Sequence, residues 1–154
     1  VFMANLDNPF RIVLETIEKL RNRTPIILVD FHAETTSEKM AMGWYLNGKV
    51  TAVVGTHTHV QTADNRVLSD GTAYITDVGM TGPHDSVIGV KKQAALSRFL
   101  SGMPARFETA TDDPRLNGVV ITADSTTGLA TDIERISLSV QEIENLTSLN
   151  LSVS

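Results

Sequence analysis

Two short stretches limit the fold of this chain more than any others. Ile26-Ile27-Leu28-Val29 and Val50-Thr51-Ala52-Val53-Val54-Gly55 are apolar runs rich in β-branched residues, the pattern of strands covered on both faces. Each runs into histidine, the first through Asp30-Phe31-His32-Ala33-Glu34 and the second through Thr56-His57-Thr58-His59. Helical patterns alternate with them. Asp7-Asn8-Pro9 supplies a cap and a first-turn proline, and Phe10, Val13, Leu14, Ile17 and Leu20 recur at helical spacing, which predicts a helix over residues 9 to 22. Thr35 and Glu38 form a capping-box pattern for a second helix through about Leu46, closed by Gly48. Helix and buried strand in alternation is the α/β rhythm, and open sheets of that class gather ligands at the carboxyl ends of their strands.

The rest of the chain turns toward β structure. Val67-Leu68 and the run from Thr72 to Val78 flank Ser69-Asp70-Gly71, a hairpin signal, so an antiparallel pair joins the sheet and makes it mixed. The loop Gly79-Met80-Thr81-Gly82-Pro83 leads to a helix from about Val90 to Leu100, stopped by Gly102 and Pro104. Strands are expected at Phe107 to Thr109, Val119 to Ala123 and Leu129 to Val140. Residues 1–140 read as part of a single domain and residues 141–154 as a polar, fraying C-terminal tail.

Composition narrows the chemistry. Thirteen Lys plus Arg against 18 Asp plus Glu give a net charge of -5, which disfavours binding polyanions by charge alone. With 42% hydrophobic and 20% charged residues the chain is an ordinary globular one. Zero cysteines exclude disulfides, thiolate ligands and cysteine nucleophiles, so any metal is held by nitrogen and oxygen. No apolar run approaches the ~18 residues of a membrane span and no leader pattern opens the chain, so the expected location is cytoplasmic. The opening Val1-Phe2-Met3-Ala4, apolar and without an initiator Met, predicts a cut inside a longer protein.

His32, His57 and His59 are the candidate metal ligands, since residues i and i+2 after a strand end can aim around one point and imidazole suits Zn, Fe, Mn or Ni. The competing reading has His32 capping a helix and the His-x-His pair making ordinary loop hydrogen bonds. Asp30, Glu34, Asp64 and Asp77 lie close in sequence as carboxylate ligands or orienting partners, each also explicable as a turn or helix-start acid. His84 reads as a turn residue. The backbone N–H groups of Gly79 to Gly82 are a weak candidate for holding an anion. Ser37, Ser86 and Ser97 lack a nucleophile-elbow setting. The metallo-β-lactamase pattern fails because His59 is followed by Val60-Gln61-Thr62-Ala63, and amidohydrolase barrels need far more chain after their His-x-His.

Three segments carry a resemblance. Asp30-Phe31-His32-Ala33-Glu34-Thr35-Thr36-Ser37-Glu38-Lys39, Gly55-Thr56-His57-Thr58-His59-Val60-Gln61-Thr62-Ala63-Asp64 and Ile75-Thr76-Asp77-Val78-Gly79-Met80-Thr81-Gly82-Pro83 are similar, in order, to signatures of the YmdB-like metallophosphoesterases of the calcineurin-like superfamily. The likeness runs from Val1 to about residue 138. It implies the C-terminal part of a four-layer α/β/β/α sandwich with a mixed sheet. It also implies a hydrolase using two divalent or mixed-valence ions, Fe or Mn, on 2′,3′-cyclic and 3′,5′-cyclic nucleotides or other phosphodiesters. Carried over, His32 and His57 bind one metal and His59 the other. The family's upstream half supplies an Asp, a bridging Glu, an Asn and the histidine thought to protonate the leaving group, and none of these is in this chain. The expectation is therefore an inactive fragment that binds one metal or none, lacks its N-terminal partner half, and self-associates as a homo-oligomer through orphaned sheet faces or edges. The alternative is a non-catalytic binding or assembly module with structural histidines.

Overall fold

The computed structural model describes residues 7–151, and the opening Val1-Phe2-Met3-Ala4 lies outside them. Contacts divide the chain into two compact units. The first holds the described residues through His57 with Ala63–Thr76 and Val120–Glu134, and the second holds Thr58–Thr62, Asp77–Val119 and the residues from Arg135 on.

In the first unit, helix α1 spans Pro9–Arg21. The Asn8 side chain accepts the Phe10 N–H at 2.9 Å, Pro9 takes the first helical position, and Lys19 and Arg21 sit in the last turn where the helix dipole favours cations. Strand β1 is Leu28–His32, helix α2 Thr36–Tyr45, strand β2 Ala52–Thr56, strand β3 Arg66–Val67 and strand β4 Ala73–Ile75. They form a sheet in the order β1-β2-β4-β3, with β1, β2 and β4 parallel and β3 antiparallel to β4. The mixed sheet is as expected. Ile17, Ile27, Met42, Leu46, Val50, Val53, Leu68 and Tyr74 make the core, with Phe10, Val13, Leu14, Val29 and Phe31 packed on it. Burial pushes the Tyr74 phenol up, and its hydroxyl pairs with Thr76 Oγ1 at 3.0 Å.

Two expectations here need correction. The first strand begins two residues later than the apolar run and is not covered on both faces: Leu28 is 59% exposed, while Val29 and Phe31 are half-buried. In the described sheet β1 lies at the edge, whereas β2, flanked on both sides, is buried from Ala52 to Gly55. At α2, Thr35 takes the N-cap position, but its hydroxyl donates to Glu38 Oε2 at 2.7 Å instead of receiving a backbone N–H.

Close approach explains two glycines. A Cβ at Gly43 would meet the Tyr74 ring at 2.5 Å, and one at Gly55 would collide with the Thr76 carbonyl.

In the second unit, strand β5, Gly82–Pro83, pairs with the start of strand β6, Pro114–Ala123. Helix α3 is Lys92–Ser101 and ends on Gly102 in the left-handed conformation, as the sequence predicts. Phe107 to Thr109 forms only an isolated bridge, Val90 to Thr109, rather than a strand. Strand β7, Ala130–Ser139, neighbours β6 and continues into helix α4, Val140–Leu151, where a fraying tail was expected. The reason is a reciprocal capping box: Glu142 Oε2 accepts the Ser139 N–H at 2.8 Å, and Ser139 Oγ accepts the Glu142 N–H at 3.3 Å.

Gly55→Ala should lower stability by about 1–3 kcal/mol or more, read as a shift of the denaturation midpoint; an unchanged midpoint would show that the strand spacing is not tight. The bonds from Ser139 hold the Glu142 carboxyl below its ordinary value. Its contribution to α4 is therefore fully present above the ordinary glutamate pKa and lost as pH falls through the lowered one. Helical signal from α4 that is indifferent to acidification across that window, or to Glu142→Ala, would contradict this assignment.

Candidate metal centre

The parallel register of β1 and β2 sets His32 opposite Thr56 and Asp30 opposite Val54. Side chains alternate along a strand, so Asp30 and His32 share one face. The Thr56 hydroxyl donates to Asp30 Oδ1 at 3.1 Å, and His32 Nδ1 lies 3.0 Å from the same hydroxyl oxygen. With its one proton committed to Asp30, that oxygen accepts the His32 Nδ1–H, which assigns the tautomer and leaves a lone pair on Nε2. His57 Nδ1 lies 3.2 Å from His32 Nε2, with the rings edge-on and their centroids 5.0 Å apart.

Two imidazole nitrogens at ~2.0–2.1 Å from one tetrahedral ion are ~3.3 Å apart by geometry, so the observed separation fits one edge of a coordination shell. Among the described residues no group of three or more His, Asp or Glu is placed to hold an ion. His32 and His57 thus bring two imidazole nitrogens to one point at adjacent strand ends.

His57 carries a backbone φ of 120°, which L residues rarely adopt. Lys39, fully buried on α2, donates from Nζ to the Thr56 carbonyl at 3.2 Å and so anchors the peptide that leads into His57.

In the second unit, His59 has a φ of 67°, and its Nδ1 lies 2.9 Å from the Ile88 carbonyl. A carbonyl only accepts, so the proton sits on Nδ1 and Nε2 carries the lone pair. This is how ligating histidines are usually oriented. The His59 carbonyl accepts the Met80 N–H at 3.2 Å. The buried Asp77 carboxylate accepts the Thr58 N–H at 2.8 Å and the Gly79 N–H at 3.0 Å. Gly79 and Met80 therefore have their N–H groups engaged within the protein, which weakens the anion reading of this loop.

The other candidates separate cleanly. Asp64 accepts from the Thr76 N–H and hydroxyl, a turn-bracing role. His84 is a turn residue, with Nδ1 2.9 Å from the Gly82 carbonyl and Nε2 2.9 Å from the Asn117 amide. Glu34 is exposed just before α2. Ser86 Oγ donates to the Pro83 carbonyl and accepts the Gly89 N–H. Local sequence pattern does not single out Thr56, Lys39 or the Ile88 carbonyl as partners of the histidine-bearing turns. Lys39 did leave a signal, since it occupies the stripe 39, 42, 43, 46 with otherwise apolar or small residues.

A mixed sheet whose parallel strands β1 and β2 run out into histidine is the fold of a metallophosphoesterase-type α/β protein. A family model described as YmdB-like protein matches residues 1–136, and the chain belongs to that family. It is 55% identical over 135 residues to a 2′,3′-cyclic-nucleotide 2′-phosphodiesterase of Bacillus subtilis (strain 168), covering 88% of this chain and 51% of that protein. Among solved structures, a hypothetical protein from Thermus thermophilus superimposes with a TM-score of 0.81 at 41% identity, covering 90% of this chain and 53% of the other. A phosphatase from Mycoplasma pneumoniae gives 0.79 at 40% identity, with 89% and 50% coverage. The chain spans about half the length of these relatives.

Thr56→Val removes the hydroxyl that orients His32 and should weaken Mn²⁺ or Zn²⁺ binding by about 10–100-fold in calorimetric titration of the full-length protein. Wild-type affinity in this variant would mean that the Asp30–Thr56–His32 chain serves the fold alone.

Proposed function

We propose that the protein carrying this chain is a metal-dependent phosphodiesterase acting on 2′,3′-cyclic and 3′,5′-cyclic nucleotides. The observation that supports this most directly is the pair of imidazole nitrogens of His32 and His57, 3.2 Å apart at adjacent strand ends. The likeness to a cyclic-nucleotide phosphodiesterase supports the substrate class. His32 and His57 are the proposed ligands of one ion and His59 of a second, with Fe or Mn the fitting metals for nitrogen and oxygen donors. When bound, such ions neutralise phosphoryl charge and acidify water at neutral pH.

The chain's own residues do the holding. Asp30, through the Thr56 hydroxyl, keeps the His32 Nδ1 proton in place so that Nε2 faces His57. Lys39 fixes the strand end from which His57 projects. The Ile88 carbonyl fixes the His59 ring. The remaining ligands and the group that protonates the leaving oxygen are proposed to come from outside these 154 residues, so the chain alone is expected to be inactive. In this reading residues 1–140 are the C-terminal portion of one domain, and the protein works in the cytoplasm. Among the described residues no helix is long and apolar enough to cross a membrane. Strand β1, at the edge of the described sheet and with Leu28 exposed, supports self-association of the isolated chain.

Full-length protein loaded with Mn²⁺ or Fe²⁺ should hydrolyse bis(p-nitrophenyl) phosphate and 2′,3′-cyclic AMP, and His57→Ala or His59→Ala should each remove nearly all turnover. Wild-type rates in either variant would establish the histidines as structural and favour a non-catalytic module.

A further inference from the structure

The turn that holds His59 has a feature its backbone role does not explain. Val87 and Val90 exchange both backbone hydrogen bonds, at 2.9 and 3.0 Å, and the two residues between them, Ile88 and Gly89, have φ of 48° and 98°. This is the pattern of a type I′ turn, whose first central position favours Asn, Asp or Gly. A β-branched residue there is strained. The side chain does not recover that cost in a core, since Ile88 is 53% exposed. The carbonyl that reaches His59 could come from any residue, so the isoleucine side chain needs its own account.

Ile88 also lines an apolar groove of about 270 Å³ with Val87, Val90, Arg98, Phe99 and Phe107. Phe99 and Phe107 are 81% and 46% exposed. The Arg98 guanidinium stands 5.1 Å over the Phe107 ring, and among the described residues it makes no ion pair. Apolar walls, aromatic faces and a planar cation with donors to spare are the elements that hold a nucleobase by stacking and by hydrogen bonds to its acceptor edge. Through one residue, Ile88, the groove adjoins His59.

We propose that this groove receives the base of the nucleotide whose phosphodiester is handled at His59. Phe107 and Ile88 supply the stacking surface, and Arg98 supplies donors. The proposal rests on the phosphodiesterase reading above and deepens it by assigning base recognition to residues 87–107. The continuity with His59, and Arg98, which makes no ion pair among the described residues, favour a nucleotide over a second copy of the chain as the occupant.

The test compares 2′,3′-cyclic AMP with glycerol 1,2-cyclic phosphate, a five-membered cyclic phosphodiester without a base, as substrates of the full-length Mn²⁺-loaded protein. Phe107→Ala and Arg98→Ala should raise KM for 2′,3′-cyclic AMP about tenfold with kcat within about twofold, and leave both constants for the base-free substrate unchanged. Ile88→Asn should raise the same KM while raising the thermal midpoint, because it suits the turn and keeps the carbonyl. An unchanged KM, or equal changes for both substrates, would overturn the proposal. So would a Phe107→Ala variant that changes only the oligomeric state in light scattering, which would assign the groove to contacts between copies. If the wild-type protein hydrolyses neither substrate, the phosphodiesterase reading fails. The groove is then judged by calorimetric titration with adenosine 2′-monophosphate, where equal Kd for wild type and Phe107→Ala would dismiss it.

Discussion

The parallel pairing of β1 with β2 is the constraint on which the candidate centre depends. Register, not sequence proximity, sets His32 against Thr56, and a slip of one residue would turn His32, Asp30 and Leu28 to the opposite face. What prevents the slip is the asymmetry of the two strands. β2 is buried along most of its length beside β4, with Gly55 fitted against the Thr76 carbonyl, while Val29 and Phe31 of β1 pack on the core. The same side chains that close the core thus fix which polar groups meet at the strand ends.

Buried charge plays an unusual part at the two histidine-bearing turns. Lys39 is fully buried and Asp77 is 1% exposed, and each spends hydrogen-bonding capacity on backbone: Lys39 on the Thr56 carbonyl, Asp77 on the N–H groups of Thr58 and Gly79. Polar side chains are costly to bury unless they are hydrogen-bonded, and both of these are. Loop peptides that leave a sheet at a strand end need such partners, since the ladder no longer provides them.

Much of this was legible beforehand. Asn8-Pro9 marked the start of α1, Ser69-Asp70-Gly71 the β3–β4 hairpin and Gly102 the end of α3, because each is a local rule of backbone conformation. The two strand-end histidines were legible because a buried strand announces itself by composition and its end by the first polar residue. Other features were not readable from local pattern. That β1 lies at the edge of the described sheet depends on which strands pair with it, and its apolar run reads like a covered strand. The Thr56 hydroxyl and the Lys39 ammonium act across 24 and 17 residues of chain, and single-residue patterns carry no trace of such pairings. The start of α4 is masked in the sequence because the polar residues after Ser139 and Glu142, which spell a capping box, resemble a tail.

The left-handed backbone at His57 has a consequence beyond this chain's own chemistry. A histidine at φ 120° occupies a site where glycine would sit at ease, so placing an imidazole there carries a standing conformational cost. Drift in a lineage that no longer needs this imidazole should therefore be directional. Position 57 should decay first toward glycine rather than toward alanine or glutamine, leaving the strand before it and the buried lysine behind it intact as a record of the lost function.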